Sequence, residues 1–425
     1  MGRGLGILAV LVLSVCGAMS QTENALSAAP KWWKGNLHTH SLWSDGDDYP
    51  EMIVDWYKRN GYDFLALSDH NVLLTGQRWI DVTLATNRGG GEVLARYLAR
   101  FGSSWVEQKQ ENAQHLTRLK PLTEIRPLFE EPNRFLLIES EEITDRHLAA
   151  PVHINATNLR DHLKPQGGNN VIEVMQNNVN AVLEQRKRTG QPMFPHLNHP
   201  NFVWGVTAEE LMQVRGERFF EVYNGHPLVH NEGDATHAAT ERMWDIILTW
   251  RLAILKMEPI FGLGVDDSHN HLAEGLDKSN PGRGWVMVRA RHLTPEHIVH
   301  AMEAGDFYAS SGVRLKDVRR ERGRLALEID PEDGVTYTTQ FIGTRKGFDR
   351  TNQPVRTAGG EALRVTHRYS QDVGMVLAEV RGSAANYALN GDEVYVRAKV
   401  ASTKLKKNPY AKGEFECAWT QPLVP

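Results

Sequence analysis

Between residue 31 and about residue 312 the chain alternates short apolar segments with longer amphipathic ones, and this alternation restricts the fold more than any other feature. The short segments are typical of buried strands and the longer ones of helices. Strands that alternate with helices pair in parallel, which predicts an α/β fold. Helices are predicted over residues 50–60, 171–188, 240–252 and 295–304, and strands over 35–38, 64–68, 135–139, 152–156, 193–197, 219–223, 260–265 and 285–288.

The number of these units favours a barrel over an open sheet. In α/β barrels the functional side chains lie at the carboxyl ends of the strands. His38, His70, Glu142 and Asp267 all fall at or just beyond the end of a predicted strand. We therefore expect these four side chains to meet at one end of the barrel.

The pattern changes after residue 312, and a length of 425 residues itself favours two domains. Short runs of alternating polarity, separated by Gly, Asp, Asn and Pro, predict an antiparallel β-sandwich domain over residues 313–425. Within the barrel domain (31–312), residues 71–134 form a long insertion that we expect to cover the mouth of the site, with a helix from residue 92 to about 119. The sandwich strands are predicted over residues 325–329, 337–342, 374–380, 393–400 and 413–419.

Residues 1–20 are typical of a cleaved secretory signal peptide, which predicts a periplasmic or secreted protein. Arg3 provides a positive charge, residues 5–15 are apolar but too few to span a bilayer, and a small-x-small sequence follows them. The sequence before Cys16 resembles a lipoprotein signal only weakly, so lipid anchoring is the less favoured alternative. After cleavage Cys417 is the one cysteine left, so no intrachain disulfide is expected. No further apolar run reaches spanning length, so we expect no integral membrane association.

The formal net charge is −4, and the sequence contains no basic block. A protein that binds nucleic acid through its phosphates normally carries a basic surface, so nucleic acid is not expected as a partner. A small anionic substrate is compatible with this charge, because local positive charge or a metal ion is enough to bind it.

His38-Thr39-His40 lies at the end of the first predicted strand, and Asp69-His70 follows the second. Alternate residues of an extended segment point the same way, so His38 and His40 can face one point in space. Neutral imidazole is the commonest protein ligand for transition metals. These histidines therefore predict a metal site, provided that later His, Glu and Asp residues converge on it. In chain order the candidate ligands are His38, His40, Asp45, His70, Glu142, His153, His199, Asp267 and His269.

The candidate ligands lie in motifs that resemble the PHP (polymerase and histidinol phosphatase) superfamily of metal-dependent phosphoesterases. Order and spacing agree over residues 34–270, and seven ordered motifs are far more specific than one His-x-His. Residues 304–312 and the β-domain after them resemble a secreted branch of this family, similar to carbaryl hydrolase. The matching motifs are Asn36-Leu-His-Thr-His-Ser41, Ser44-Asp-Gly46, Leu67-Ser-Asp-His70, Glu142-Ile-Thr144, Val152-His153, Asn198-His-Pro200 and Asp267-Ser-His269.

The resemblance implies a distorted seven-stranded (β/α)7 barrel that holds two or three clustered divalent ions. Mixed imidazole and carboxylate ligation suits Mn, Fe or Zn, and the sequence does not choose among them. By motif, the resemblance assigns four ligands to a first ion, three to a second that shares the bridging Glu142, and three to a third: His38, His40, Glu142 and Asp267; Glu142, His153 and His199; Asp45, His70 and His269.

Some of these ligands compete with neighbours of the same residue type, and the family motif favours one residue in each case. His196, the histidine that the motif does not favour, is expected to lie in the core or to support the ligands from behind. Three further histidines, at positions 226, 230 and 237, are assigned a surface or structural role. The favoured ligands are Glu142 over Glu139 and Glu141, His199 over His196, and Asp267 over Asp266.

Asp267 and His269 are also candidate catalytic residues, together with Asp69, which is expected to orient neighbouring groups rather than to bind metal. Arg283 lies between two glycines before a strand, and this makes it a candidate for binding a phosphate. An ordinary solvated loop arginine is the alternative at that position. Asn224 follows a strand end, from which it is expected to reach the substrate.

The sequence therefore predicts a hydrolase of small phosphate esters, with monoesters slightly favoured over diesters. A metal-bound hydroxide would attack phosphorus, and no protein nucleophile is needed. Two alternatives stay open. The same metal centre could attack the carbonyl of a carbamate or amide, or a catalytically silent barrel could accompany a β-domain that binds a partner.

Overall fold

The computed structural model describes residues 29–425, so the predicted signal peptide lies outside the described residues. Within that range no helix combines the length and the apolar composition needed to cross a bilayer. The helices are α1 Pro50–Arg59, α2 Val82–Gly89, α3 Val93–Phe101, α4 Leu122–Phe129, α5 Val171–Thr189, α6 Ala208–Leu211, α7 Thr240–Thr249 and α8 Pro295–Glu303, with a 3-10 turn at Phe202–Trp204 and a π-helical turn at Trp250–Leu255. The strands are β1 Lys31–Asn36, β2 Phe64–Leu67, β3 Arg78–Asp81, β4 Gln108–Glu111, β5 Gln114–Leu119, β6 Leu136–His147, β7 Ala150–Thr157, β8 Phe194–Leu197, β9 Phe219–Asn224, β10 Phe261–Val265, β11 Trp285–Ala290, β12 Phe307–Ser310, β13 Leu315–Glu321, β14 Arg324–Ile329, β15 Tyr337–Arg345, β16 Asn352–Gln353, β17 Arg368–Tyr369, β18 Met375–Arg381, β19 Ala384–Ala388, β20 Glu393–Leu405 and β21 Phe415–Thr420.

One mixed sheet of 13 strands extends through most of the described chain. Seven neighbouring strands of this sheet, β10-β9-β8-β7-β6-β2-β1, carry the candidate site. Within this row β1, β2 and β6 pair in parallel, as do β8, β9 and β10. Strand β7 is antiparallel to both of its neighbours, because only Leu148 and Ala149 separate it from β6 and a parallel crossover needs a far longer connection. The prediction of parallel pairing is therefore wrong at β7, and it is also wrong at β11, which pairs antiparallel with β1 and β12.

The two ends of this row of seven strands meet at a single point. Thr39 and Ser268, just beyond β1 and β10, form an isolated parallel bridge. The backbone N–H of His40 donates to the carbonyl of Ser268 at 2.9 Å. Among residues 29–425 no ladder joins β1 to β10, so a closed barrel is not confirmed. The structure shows a mixed α/β fold with one large sheet and additional antiparallel sheets.

A phenylalanine-rich core lies at the amino ends of these strands. Phe64, Phe194, Phe219 and Phe261 are the first residues of β2, β8, β9 and β10, and all four are buried. The ring centroid of Phe219 lies 4.6 Å from that of Phe194 and 5.7 Å from that of Phe261. Burial of each such side chain stabilises the fold by about 1.5–3 kcal/mol. Because these rings fill one end of the row, the polar residues of the strands are collected at the opposite, carboxyl end.

The insertion at residues 71–134 differs from its prediction. The helix predicted over residues 92–119 is wrong beyond Phe101, where α3 ends before a glycine with a φ of 78°. Strands β4 and β5 then form an antiparallel hairpin. Its turn residues Asn112 and Ala113 have φ values of 48° and 62°, a left-handed conformation that a helix interior excludes.

Most strands beyond residue 312 belong to two antiparallel sheets around a shared apolar core, β13-β14-β19 and β21-β20-β15-β18. The short strands β16 and β17 form a separate antiparallel pair. Each of the five strands predicted for this region overlaps an observed one. The pairing of β12 with β21 makes the second sheet continuous with the seven-stranded row, so the sheet has no break at the predicted boundary.

A buried ion pair joins α7 to β20. The Nε of Arg397 donates to Oδ1 of Asp245 at 2.8 Å, and its Nη2 donates to Oδ2 at 2.7 Å. Removal of one partner leaves a buried charge uncompensated, so we expect Asp245→Ala to lower the free energy of unfolding by about 3–5 kcal/mol. Denaturant titration measures this change. Asp55, which pairs with the more exposed Arg100, is the control, and Asp55→Ala should cost at most about 1 kcal/mol. Equal losses in the two variants would contradict the expectation.

Candidate metal centre

The segment after β1 directs His38 and His40 into one cavity. The side-chain carbonyl of Asn36 accepts a hydrogen bond from the backbone N–H of His38 at 3.1 Å, and its amide donates to Asp266 at 2.6 Å. His38 and His40 are fully buried, and their Nε2 atoms lie 3.1 Å apart. Two ligands of one ion lie at such a separation, because each imidazole nitrogen binds zinc at about 2.0–2.1 Å.

Glu142 lies at the centre of the histidines. It is within β6, seven residues into a strand that was predicted to end at residue 139. Its Oε2 is buried and, among residues 29–425, has imidazole nitrogens close by, His70 Nδ1 at 2.8 Å, but accepts no hydrogen bond of good geometry. A buried carboxylate needs such compensating positive charge, from imidazolium groups or from a bound cation. The carboxylate oxygens lie within 3.4 Å of five imidazole nitrogens, those of His38, His40, His70, His153 and His199.

Asp267 completes the deep end of the cavity. Its Oδ1 lies 3.2 Å from the Nε2 atoms of both His38 and His40. The backbone of Asp267 is left-handed, with a φ of 49°, and its N–H donates to the carbonyl of His38 at 3.0 Å. Aspartate tolerates this conformation better than most residues, and strained backbone of this kind is concentrated at functional sites.

A third group of ligating atoms lines the open side of the cavity. The carboxylate of Asp45 lies 3.4 Å from His269 Nε2, 3.5 Å from His70 Nε2 and 3.6 Å from His40 Nδ1. The side chains of Asp45, His70 and His269 are 49%, 25% and 18% exposed, whereas that of His38 is fully buried. The cavity is therefore open to solvent on the side of Asp45.

All nine predicted ligands contribute atoms to this cavity. In four overlapping groups of these residues the ligating atoms lie within 4.8 Å of one another, and a fifth group joins His38 to His196 and Glu221. Three of the four groups differ from the sets implied by the resemblance, because His70 joins Glu142 and His153, His199 joins the deep end, and His40 joins the group of Asp45. The groups are His38, His40 and Glu142; His38, His199 and Asp267; His70, Glu142 and His153; and His40, Asp45, His70 and His269.

The electrostatics of the cavity suit divalent cations. Burial alone would raise the pKa of Glu142, but the charges of His70 and His38 hold that pKa well below its usual value. Burial likewise opposes ionisation of Asp267, and His38 is the main neighbour that lowers its pKa. Burial, reinforced by His269 and His70, lowers the pKa of His40 to about 3. Burial opposes protonation of His70, but the charge of Glu142 raises its pKa to about 11. Because imidazole binds a metal in its neutral form, cations that bind here would displace protons from such histidines.

Glu221, on β9, holds the ligands from behind, and the sequence analysis missed it. Its Oε1 lies 2.6 Å from His38 Nδ1 and 3.3 Å from His196 Nε2. Its Oε2 accepts hydrogen bonds from the backbone of His199 and the amide of Asn224, each at 2.8 Å. A carboxylate on the second ring nitrogen fixes the tautomer and orientation of a metal-binding histidine. An acidic residue inside a buried strand is a feature that could have revealed it, since such a charge needs a partner.

Substitution of Glu221 tests this supporting role. We expect Glu221→Gln to weaken metal binding by about 10- to 100-fold, because loss of an outer-shell carboxylate has effects of that size. Competition against a chromogenic chelator measures the affinity. Glu217→Gln is the matched control, since Glu217 is also buried but accepts its hydrogen bond from the backbone of Phe219. Unchanged affinity in Glu221→Gln would contradict the assigned role.

Asp69 and Asn224 orient other residues of the site. The Asp69 carboxylate accepts hydrogen bonds from the backbone and hydroxyl of Ser41, both at 2.8 Å, and from the Ser44 hydroxyl at 2.6 Å. These bonds fix the loop that carries Asp45. The Asn224 amide donates to Glu221, as described, and to Asp267 at 3.0 Å. Its fully buried amide therefore positions ligands rather than pointing toward a substrate.

Arg283 does not point into the cavity. Its guanidinium is buried and donates to the carbonyls of Gly225, Gly275 and Asn408 at 2.9, 2.7 and 3.1 Å. It donates further to the carbonyls of Lys278 and Pro409. With its donors used in this way, Arg283 fastens loops together, and we do not propose it as a phosphate ligand.

His226 borders the cavity, although the sequence placed it in a surface or structural role. Its ring centroid lies 5.5 Å from that of His269. Its Nδ1 accepts a hydrogen bond from the backbone of Leu228 at 3.1 Å, so Nε2 carries the hydrogen of the neutral ring. Burial lowers the pKa of His226 to about 4. The other two histidines of that group, His230 and His237, do have a structural position, stacked on the ring of Trp204.

Comparison with known proteins adds little to what the geometry of the cavity shows. No family model matches the chain, and no curated protein matches it. Among solved structures, the chain is similar to a two-domain protein from Bacteroides vulgatus that contains a predicted PHP-like metal-dependent phosphoesterase. The identity is 16%, the match covers 92% of this chain and 95% of that chain, and the TM-score is 0.39. The comparisons do not support the secreted branch similar to carbaryl hydrolase, and a match this distant carries no argument about the site.

Proposed function

We propose that this chain is a metal-dependent hydrolase of small phosphate esters. The observation that supports the proposal is the arrangement of nine side chains with ligating atoms in overlapping groups around the buried Glu142 carboxylate, whose oxygens lie within 3.4 Å of five imidazole nitrogens. Divalent ions held there would bind phosphoryl oxygens and lower the pKa of a bound water, as in other metal-dependent hydrolases. The donor set of imidazoles and carboxylates suits Mn, Fe or Zn.

We assign different roles to the residues at the deep end and at the open side of the cavity. His38, His40 and Asp267 are buried and tied to the backbone, so they present fixed donor atoms and exclude water from the deep end. Asp45 and His70 are partly exposed, so the substrate would approach along their side. Donors fixed before the substrate arrives need no rearrangement during the reaction, which favours catalysis.

A substrate panel tests the proposal. Protein stripped with chelator and reloaded with Mn²⁺, Fe²⁺ or Zn²⁺ is assayed with p-nitrophenyl phosphate, bis-p-nitrophenyl phosphate and a naphthyl carbamate. We expect the phosphate esters to be hydrolysed, the monoester ahead of the diester, and the chelator to abolish turnover until metal is restored. Hydrolysis of the carbamate alone would replace the phosphoesterase with a carbonyl hydrolase. Absence of all turnover in metal-loaded protein would contradict the proposal.

A further inference from the structure

A cleft of about 530 Å³ opens directly beside the ligating residues. It lies between the turn that joins β6 to β7 and the Phe202–Trp204 turn, and we call it the side cleft. His153 lines it, and so does Thr144, whose hydroxyl lies 2.5 Å from His70 Nδ1. The side cleft therefore shares a wall with the exposed part of the metal centre, and its volume is in the range of small-molecule sites, about 300–1,000 Å³.

The side cleft is lined by apolar side chains that are exposed to solvent. Leu148 is 82% exposed and Val203 is 59% exposed, and both line the cleft. Phe202 also lines it, and its ring centroid lies 5.1 Å from that of His199 and 6.0 Å from that of His153. An apolar surface thus continues from the ligating imidazoles into the cleft, where a bound organic group would remove it from water.

The backbone at the two most exposed apolar residues is strained. Leu148 and Val203 have φ values of 52° and 49°, which are outliers for a bulky and for a β-branched residue. Contacts around Val203 hold its turn in place: the next residue, Trp204, stacks on His237 with centroids 3.7 Å apart, and Arg364 donates to the following carbonyl at 2.7 Å. Strain of this kind persists where the surrounding structure imposes it, and it is concentrated at ligand-binding positions.

An uncommitted guanidinium lies at the mouth of the side cleft, next to a carboxylate that is held by hydrogen bonds. Arg146 lines the cleft and is exposed, and its guanidinium makes no hydrogen bond or ion pair with any residue of 29–425. The neighbouring Asp145 carboxylate is already engaged, since it accepts hydrogen bonds from Gly167 and Asn178 at 2.8 and 2.9 Å. A free guanidinium beside apolar walls favours a ligand that is both apolar and anionic.

We propose that the side cleft is the subsite for the organic group of the substrate, and that the preferred substrates are aryl phosphate esters. The ring lies against Phe202, Val203 and Leu148, while the phosphoryl group lies at the metal centre next to His153. This inference rests on the proposed function, which it extends by naming the substrate class.

Selectivity between an aryl and a small alkyl ester tests the subsite. For each variant, kcat/KM for 1-naphthyl phosphate is divided by kcat/KM for ethyl phosphate. This selectivity ratio is then compared with the ratio of the wild-type protein, so that the different reactivities of the two esters cancel. We expect Val203→Ser and Leu148→Ser each to lower this ratio by about tenfold, the usual effect of lost apolar contacts in a pocket. Val376→Ser is the matched control, since Val376 is 48% exposed on β18 and should leave the ratio unchanged. An unchanged ratio in both cleft variants would overturn the inference.

Binding without turnover separates this inference from the proposed function. Calorimetry compares 1-naphthylphosphonate with methylphosphonate on metal-loaded protein, and we expect tighter binding of the naphthyl compound that Val203→Gly reduces. Because glycine accepts a positive φ, Val203→Gly should also raise the melting temperature. Weaker binding by a variant with a higher melting temperature then reflects a loss of affinity and not a loss of folding. If the naphthyl preference is present but no ester is hydrolysed, the subsite stands and the proposed function fails. If esters are hydrolysed without that preference, the function stands and the subsite fails.

Discussion

Glu142→Gln is expected to abolish metal binding at the centre of the cavity and, with it, ester hydrolysis. The carboxylate lies near five imidazole nitrogens, and glutamine would offer bound ions a neutral amide in place of that negative charge. Loss of the metal removes several kcal/mol of transition-state stabilisation, so kcat/KM should fall by at least about a thousandfold. Elemental analysis and the phosphate-ester assay, performed on the same preparation, measure both effects.

The adjacent residue is the matched control for this substitution. Glu141 is also buried, but its carboxylate points away from the cavity and accepts hydrogen bonds from His162 and from the backbone of Leu163, at 2.5 and 2.7 Å. Glu141→Gln should therefore keep its metal and its activity. If Glu141→Gln loses both while Glu142→Gln keeps them, the bridging ligand has been assigned to the wrong residue.

Asp267→Asn is expected to have an effect of similar size on activity with little change in fold. The variant loses the negative charge that lies 3.2 Å from both deep imidazoles, those of His38 and His40. Asparagine tolerates the left-handed backbone at this position, so the loop should keep its course. We expect weaker metal binding and a loss of kcat/KM of about a thousandfold, measured with p-nitrophenyl phosphate over a range of metal concentrations.

Asp266 gives the corresponding control, because it contributes to stability and not to ligation. Its Oδ1 accepts hydrogen bonds from the backbone of Arg283 and Gly284 at 2.6 and 2.8 Å, and its Oδ2 accepts one from the Tyr57 hydroxyl at 2.8 Å. Asp266→Asn should lower the melting temperature while the protein still binds metal. The assignment of Asp267 fails if its variant retains full turnover, or if only the Asp266 variant loses its metal.

Much of the fold and the ligand set could be predicted because both rest on local pattern. Buried strands begin with apolar residues such as Phe64 and Phe219, and these were identified to within a few residues of their observed starts. Several candidate ligands, such as His38 and Asp267, follow strand ends in recognisable motifs. The structure brings His153 and His199 to the same carboxylate as His38. Local sequence is sufficient to predict the position of a residue wherever that position depends on the residue's own strand or turn.

The parts that could not be predicted depend on contacts between distant segments. Glu221 acts through His38, which is 183 positions away, and no spacing reveals such a pairing. The glycines on both sides of Arg283 suggest a phosphate ligand, but its guanidinium donates to the distant loop at Asn408, which the local sequence does not reveal. The antiparallel β7 and the side cleft likewise depend on the turn at Leu148, whose backbone strain is visible only in three dimensions.

The metal content of the protein tests the central claim most directly. Purified protein is stripped with chelator, incubated with Mn²⁺ or Zn²⁺, freed of unbound metal and analysed for its elements against its own concentration. The arrangement of ligands around Glu142 predicts two or three equivalents of divalent metal per chain. Fewer than one equivalent after repletion would contradict the claim that these side chains form a metal centre.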